Sequence, residues 1–205
     1  MIVEKTGHIH DSQRSVIVNT VNTVGVMGAG LALINKMIFP EMFNQYKAFC
    51  DNKQFDVGQL WLYTNSSRWA ILNFPTKKHW RDDSDYYYLT LGLKKFVDTY
   101  EMRGIHDIAF PYLGCQNGHL RKDKVKEIMY RFLDPLPIQV ELWEYDFNAE
   151  STFFNEFKDS MKDINSMFGR IVGEVNSWNE LLAWTGISWK TVQKEIQNHF
   201  KIETV

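Results

Sequence analysis

Three stretches of this chain combine residue types that can do chemistry. The first is Val18-Asn19-Thr20-Val21-Asn22-Thr23-Val24-Gly25-Val26-Met27-Gly28-Ala29-Gly30, set between a short apolar run and a helical pattern. Glycines in a strand-to-helix loop let the backbone approach a ligand and turn successive N–H groups toward it, and the helix start adds a dipole that favours phosphate. A diphosphate would fit there. The spacing is neither the Gly-x-Gly-x-x-Gly of a dinucleotide turn nor the Gly-Lys-Ser/Thr ending of a P-loop, which excludes both common nucleotide motifs. The plainer alternative is that the glycines only make a tight turn. Asn22 adds an amide with donors and an acceptor, able to bond sugar hydroxyls in either direction.

The second stretch is Asn73-Phe74-Pro75-Thr76-Lys77-Lys78-His79-Trp80-Arg81. A desolvated lysine at a strand end can act as nucleophile or general acid, although most lysines are solvated loop residues. Lys78, His79 and Arg81 surround Trp80 with potential cations, which suits pairing with phosphates and stacking on one base of a single strand; alternatively Trp80 packs on the surface with the charges in water. The third stretch is Pro111-Tyr112-Leu113-Gly114-Cys115-Gln116-Asn117-Gly118. No motif sets a base beside Cys115, so its small side chain reads as a requirement of a phosphate-hugging loop, not as a nucleophile.

These loops need a scaffold. Ser15 to Val18 is a β-branched apolar run ending at Asn19, the pattern of a strand buried on both faces. Leu31 to Ile34 opens a helix that stops before Pro40; a second helix follows with Met42, Phe43, Tyr46 and Phe49 at helical spacing. Residues 59–63 and 69–74 are predicted as a hairpin around the polar turn 64–68. Tyr88, Leu91, Leu93, Phe96 and Tyr100 predict a long helix over 84–103, capped by Ser84 or Asp85 and ended by Gly104. A buried strand over 105–112, a helix over 121–133 and a strand over 138–145 follow, the last alternating apolar and polar residues as an edge strand does. Alternation of strands and helices predicts a mixed sheet with helices on both faces and ligands at the strand carboxyl ends.

After about Phe147 the strand signal stops, so residues 1–147 are read as one domain and 148–205 as a helical extension. Phe157, Met161, Ile164, Phe168, Ile171 and Val175 alternate steps of four and three, a helix-packing seam weakened by Gly169 and Gly173. Residues 179–184, the turn 185–187 and residues 188–200 resemble a helix-turn-helix. This tail is not basic, which favours packing of Trp184 and Trp189 against the first domain over DNA reading.

A chain of 205 residues can bury about 70% of its unfolded surface. Its 44% hydrophobic and 15% aromatic content suits a globular protein, and no apolar run approaches the roughly 20 residues of a membrane span. The start, Met-Ile-Val-Glu-Lys-Thr-Gly-His, lacks the order of a secretory signal, so a cytoplasmic location is expected. The two cysteines, Cys50 and Cys115, suit reduced thiols, and no metal site is expected. A net charge of -2 gives no global attraction for nucleic acid; any contact must come from a local patch.

The first stretch closely resembles the macrodomain signature, in which an asparagine after a buried strand precedes a Gly-rich loop. Its wording is nearly that of the macrodomain of DarG-type antitoxins, which cleave ADP-ribose from DNA bases modified by a partner toxin; terminal ADP-ribose protein glycohydrolases share that branch. The second and third stretches match it too, and the likeness covers residues 1 to about 146. The resemblance implies a three-layer α/β/α macrodomain with a mixed central sheet, plus the C-terminal all-helical extension. It implies ADP-ribose or an ADP-ribosylated substrate as ligand, held by Ile9, Asn19, Thr23, Val24, Gly25, Val26, Met27, Gly28, Gly30, Thr76, Leu113, Gly114, Cys115, Gln116, Asn117 and Gly118, with no cofactor. It places Asn22 at the distal ribose and makes Lys77 the catalytic candidate. Lys78, His79, Trp80 and Arg81 are then expected to meet single-stranded DNA, and a toxin partner is implied.

Hydrolysis of an N- or O-glycosidic ADP-ribosyl linkage, with DNA as target, is therefore the leading expectation. A non-catalytic ADP-ribose reader and an ADP-ribose phosphate phosphatase are the alternatives. Two departures stand out. Gly7-His8 replaces the Gly-Asp pair whose carboxylate holds the adenine amine in many macrodomains. Gln116-Asn117-Gly118 lacks the aspartate of the glycohydrolase relatives, as the antitoxin branch also does, so a lysine adduct resolved by that acid is not expected.

Overall fold

The computed structural model describes residues 1–65, 68–161 and 172–183. Among these, one sheet holds β1 (Ile2–Gly7), β2 (Val16–Val21), β3 (Trp61–Tyr63), β4 (Ala70–Pro75), β5 (Asp107–Pro111) and β6 (Gln139–Tyr145), in the order β1-β6-β5-β2-β4-β3. Every neighbouring pair is parallel except the β3–β4 hairpin, so the sheet is mixed as expected. The helices are α1 (Gly30–Ile38), α2 (Pro40–Asp51), α3 (Tyr86–Thr99), α4 (Lys122–Leu133), α5 (Thr152–Met161) and α6 (Trp178–Ala183).

Strand periodicity divides the interior in two. Along β2, Val16 and Val18 point to one face and join Leu72, Phe74, Ile108 and Phe110 under α3 and α4. Ile17 and Val21 point the other way and join Ile71, Ala109, and Leu33, Ile34 and Met37 of α1 with Met42 and Tyr46 of α2. Helices thus cover both faces, giving the expected three-layer α/β/α architecture. Burying a side chain such as Ile17, fully shielded, contributes roughly 1.5–3 kcal/mol. Phe153, Phe154, Phe157, Val172, Val175, Trp178 and Leu181 of the extension belong to the same core as α1 and α2.

Two expectations need correction. The final strand is not an edge: β6 lies between β5 and β1, and β1, which periodicity did not reveal, forms the edge instead. The polar position that suggested an edge is Glu141, which is 5% exposed and fully partnered. Its carboxylate accepts from Ser12 Oγ at 2.6 Å, Trp143 Nε1 at 2.8 Å and Arg14 Nε at 3.1 Å. A satisfied buried carboxylate mimics solvent exposure in the sequence pattern. The third helix is shorter than the expected 84–103, spanning Tyr86–Thr99; Asp85 caps it as expected, its side chain accepting from Tyr87 N at 2.8 Å, and it buries Leu89, Leu93 and Phe96 while Tyr88 and Leu91 stay half-buried. Phe157 and Val175 of the expected seam face the core, whereas residues 162–171 and the part of the expected helix-turn-helix beyond 183 lie outside the described residues. No helix among the described residues is long and apolar enough to cross a membrane.

Candidate functional site

A cavity of about 820 Å³ opens along the carboxyl ends of five neighbouring strands, reached through Gly7 and Tyr145, Pro111, Val21 and Thr76. That volume lies in the range of small-molecule and cofactor sites. From β1 to β4 it crosses four strand spacings, about 19 Å at roughly 4.8 Å each, which calls for an elongated ligand.

Two loops meet at its middle. Gly30 has φ 52°, and a Cβ there would stand 2.9 Å from Asn117 Nδ2 of the opposite loop. Gly118 is tighter still, since a Cβ would press on Ser84 and reach 2.6 Å from the Gly114 carbonyl. Only glycine lets the loops approach this closely. Ala29 caps α1 with no side-chain hydrogen bond, and no acid occupies its first turn. The leading N–H groups of α1 have no intrahelical partner, and Gly28 to Ala32 line the cavity. Backbone donors, a helix dipole and no competing carboxylate make an anion cradle.

At the β2–β4 end stand Asn22 and Lys77, both in the cavity wall. Asn22 is 6% exposed, and its Oδ1 accepts from Val24 N at 3.1 Å, Val26 N at 3.3 Å and Tyr46 Oη at 3.1 Å. Its Nδ2 donates to the Val26 carbonyl at 2.6 Å. The amide oxygen is therefore spent on shaping the glycine loop, which leaves one N–H for a ligand instead of the two-way amide expected. Tyr46 shares its hydroxyl between Asn22 Oδ1 and the Asn22 carbonyl, 2.8 Å away, and burial pushes its pKa well above the ordinary phenol value.

Lys77 is 8% exposed, and its Nζ donates to the carbonyls of Asp82 and Asn117, both at 2.6 Å. Burial pushes its pKa down, and the charges of Asp83 and Asp82 oppose the shift. Two of the three tetrahedral directions on nitrogen are thus fixed. The third carries an N–H in the ammonium form or the lone pair in the amine.

The opposite end differs in chemistry. His8 lies edge-on to Tyr145, ring centroids 5.1 Å apart, and burial pulls its pKa down. Tyr145 Oη donates to Asn179 Oδ1 at 2.6 Å, bringing a residue of α6 into the wall. Between the two ends, Cys115 is pushed up to about 11 by burial, so its thiol stays protonated at neutral pH.

Of the residues singled out in the sequence, Ile9, Asn22, Val26, Gly28, Gly30, Thr76, Lys77, Trp80, Gly114, Cys115, Gln116, Asn117 and Gly118 line this one cavity. Asn19, Met27 and Leu113 do not: they are fully or almost fully buried, with Asn19 Nδ2 donating to Asn73 Oδ1 at 3.0 Å. Thr23 ties its loop to the second stretch, its N–H and hydroxyl each reaching the Lys78 carbonyl at 3.0 Å. Val24, Gly25, Lys78, His79 and Arg81 stand beside the cavity wall and not in it. Sequence reasoning missed Tyr46, Tyr145 and Asn179, and gave Ser84 only a capping role. Ser84 instead bonds Thr76 Oγ1 at 3.2 Å and, through its N–H, the Gly118 carbonyl at 2.9 Å. A helix-spaced tyrosine reads as core, and nothing local signals a buried hydroxyl aimed at a loop. Among the described residues no group of His, Cys, Asp and Glu could hold a metal ion.

A three-layer α/β/α fold with facing glycine loops at its strand carboxyl ends defines a protein whose main-chain donors converge on one elongated cleft. The Macro domain family model matches residues 18–129. The chain belongs to that family. The DNA ADP-ribosyl glycohydrolase of Thermus aquaticus is 38% identical over 143 residues, 68% of this chain and 39% of the relative. That of Mycobacterium tuberculosis is 35% identical over 140 residues, 67% of this chain and 40% of the relative. A DNA ADP-ribosyl transferase-DNA ADP-ribosyl glycohydrolase fusion protein of Thermosipho africanus is 33% identical over 156 residues, 67% of this chain and 40% of the relative. This chain thus spans about 40% of the length of the curated relatives it matches. Among solved structures, the macrodomain of Thermus aquaticus DarG superposes with a TM-score of 0.67 at 36% identity, over 70% of this chain and 98% of that one. Thermosipho africanus DarTG in complex with ADP-ribose gives 0.63 at 33% identity, over 68% of this chain and 40% of that one.

Proposed function

We propose that this chain is a hydrolase that releases ADP-ribose from ADP-ribosylated DNA. The observation that carries the reading is the placement of Lys77, shielded and pinned to two carbonyls, in the same wall as Asn22 and the paired glycine loops. The diphosphate lies between the loops, where main-chain N–H groups meet its charge without a counter-cation. Its outer ribose then reaches the Asn22 and Lys77 end. Hydrolysis adds water to the anomeric carbon while the base leaves with a proton, so the site must hold the sugar still and manage one proton. The free N–H of Asn22 holds a sugar hydroxyl, and the unfixed direction on Lys77 Nζ donates or accepts that proton.

The names of the relatives, DNA ADP-ribosyl glycohydrolase, favour nucleic acid as the target. Trp80 supports it: it is 47% exposed at the cavity wall, with the Arg81 guanidinium 4.6 Å and the His79 ring 5.5 Å from its ring. A single-stranded base stacks on such a ring while the cation meets a phosphate. On this reading the wider contact set of Thr23, Val24, Gly25, Lys78, His79 and Arg81 surrounds the mouth. A DNA-modifying ADP-ribosyl transferase supplies the substrate, a pairing that the Thermosipho fusion protein's name parallels.

The test is incubation with oligonucleotides carrying ADP-ribose on thymidine or guanine, separating released ADP-ribose from intact strands. Release is expected with the wild type. Lys77→Ala should abolish it while ADP-ribose affinity stays within a few-fold, because anchoring belongs to the loops. A wild-type protein that binds ADP-ribose but turns over neither DNA overturns the enzyme reading in favour of a reader.

A further inference from the structure

We propose that the helical extension is part of the ligand site, with Asn179 of α6 reading the hydrogen-bonding edge of the nucleobase. The inference rests on the ADP-ribosyl reading above and concerns the end of the cleft farthest from Lys77. If the diphosphate lies between the glycine loops and the outer ribose at Asn22, the remaining length reaches β1 and β6, where Gly7, His8, Trp143, Glu144, Tyr145 and Asn179 line the wall. Burial disfavours the charged form of His8. The Glu144 carboxylate at this end is paired with Lys122 Nζ at 2.5 Å, and the rings and carboxamide beside that pair suit a planar heterocycle with a polar edge.

Asn179 has hydrogen-bonding capacity to spare. Its Oδ1 accepts one bond, from Tyr145 Oη at 2.6 Å, and its Nδ2 donates one, to the Phe147 carbonyl at 3.3 Å. One lone pair and one N–H remain. Together they complement an aminopurine edge, which offers an exocyclic amine beside a ring nitrogen, as asparagine does when it reads adenine in a DNA groove. This amide takes over the polar contact at the β1 end, where the chain has His8.

The residue stands on a fixed support. Its neighbour Trp178 is fully buried, with Phe157, Phe154 and Phe153 centroids at 5.0, 5.1 and 5.9 Å. A side chain on an anchored helix, oriented by a tyrosine hydroxyl and a main-chain carbonyl, is held for recognition before the ligand arrives.

Calorimetric titration of ADP-ribose and of inosine diphosphate ribose tests the assignment, because hypoxanthine replaces the amine with a carbonyl and leaves the rest of the ligand unchanged. The wild type should prefer ADP-ribose. Asn179→Ala should weaken ADP-ribose roughly tenfold, the effect of one hydrogen bond lost, and bring the affinity ratio of the two ligands toward unity. Asn179→Asp is isosteric and keeps the acceptor for Tyr145 but loses both N–H groups, including the one held by the Phe147 carbonyl; buried Trp178 still anchors α6, and the ratio should shift toward inosine diphosphate ribose. Wild-type affinities for both ligands in both variants, or an equal loss for both ligands with the ratio unchanged, overturn the role of Asn179 and leave the glycohydrolase reading standing. A wild type with no affinity for ADP-ribose overturns both.

Discussion

Lowering the pH from 7 to 5 should destabilise this protein chiefly through His10. Its ring is sealed at the junction of domain and extension, stacked on Phe153 at 5.5 Å and close to Trp69 and Trp178 at 5.7 and 6.4 Å. Its Nε2 lies 2.9 Å from Asn35 Oδ1. Burial pushes its pKa down to about 4, and the nearby His8 and Arg68 push the same way, while the Asn35 bond opposes them. The imidazole is thus neutral when folded and has its ordinary value near 6.5 when unfolded. The unfolded chain binds the proton first, so stability is complete above about 6.5 and declines as the pH falls toward 4. At pH 5 the unfolded state is favoured about thirtyfold by this site, a loss of about 2 kcal/mol, against almost nothing at pH 7. Guanidinium denaturation at both pH values, on the wild type and on His10→Gln, isolates the effect. Glutamine keeps an N–H for Asn35 but does not titrate. His8 and Glu141 are present in both proteins, so their own contributions cancel in the comparison. The wild type should lose about 2 kcal/mol more than the variant between pH 7 and 5. Equal losses would refute the argument.

Two other substitutions probe the site. Tyr46→Phe strands the buried Asn22 carbonyl and one acceptor position of its amide; a stability loss of about 1–3 kcal/mol and weaker ADP-ribose binding are expected by thermal unfolding and calorimetry, and an unchanged affinity would show that the loop holds its shape without the hydroxyl. Trp80→Ala should leave stability within about 0.5 kcal/mol yet raise KM for an ADP-ribosylated oligonucleotide roughly tenfold more than for an ADP-ribosylated mononucleotide, the loss of one stacked base; equal effects on the two substrates would remove Trp80 from strand contact.

What the sequence disclosed follows from how local each signal is. Val16 to Val18 announced β2 because a central parallel strand is apolar on both faces; the loop from Gly25 to Gly30 declared itself by its glycines, and that from Gly114 to Gly118 by its likeness to the family's second phosphate loop. β1 stayed hidden because its Val3, Glu4, Lys5 and Thr6 are exposed, and it becomes a strand only by pairing with β6, Ile2 opposite Val140. Glu141 misled for the converse reason: the partners that make its burial tolerable, Ser12 and Arg14, are distant in sequence. The same limit governs the site. Asn22 was legible by position, but the use of its oxygen depends on Tyr46, which α2 carries to it. Asn179 enters the wall only because Trp178 seats α6 in a core built largely from the other end of the chain.

On the proposed reading Lys77 is both a strut and a proton carrier, and this bears on how its removal is to be read. By bonding the Asp82 and Asn117 carbonyls it ties the segment after β4 to the loop after β5. Its loss could therefore slacken the cradle and mimic a catalytic defect. The surrounding bonds argue against that outcome. Thr23 N–H holds the Lys78 carbonyl at 3.0 Å, Ser84 N–H holds the Gly118 carbonyl at 2.9 Å, and Asp85 N–H holds the Thr76 carbonyl at 3.3 Å. These three main-chain ties fix the same segments to one another and to the first glycine loop without the lysine. The two carbonyls released by Lys77→Ala belong to exposed residues, Asp82 and the cavity-lining Asn117, where water can satisfy them. Retained ADP-ribose affinity with lost turnover would then assign the defect to the proton handled at Nζ, whereas a parallel loss of both would mean that the lysine acts chiefly as a strut.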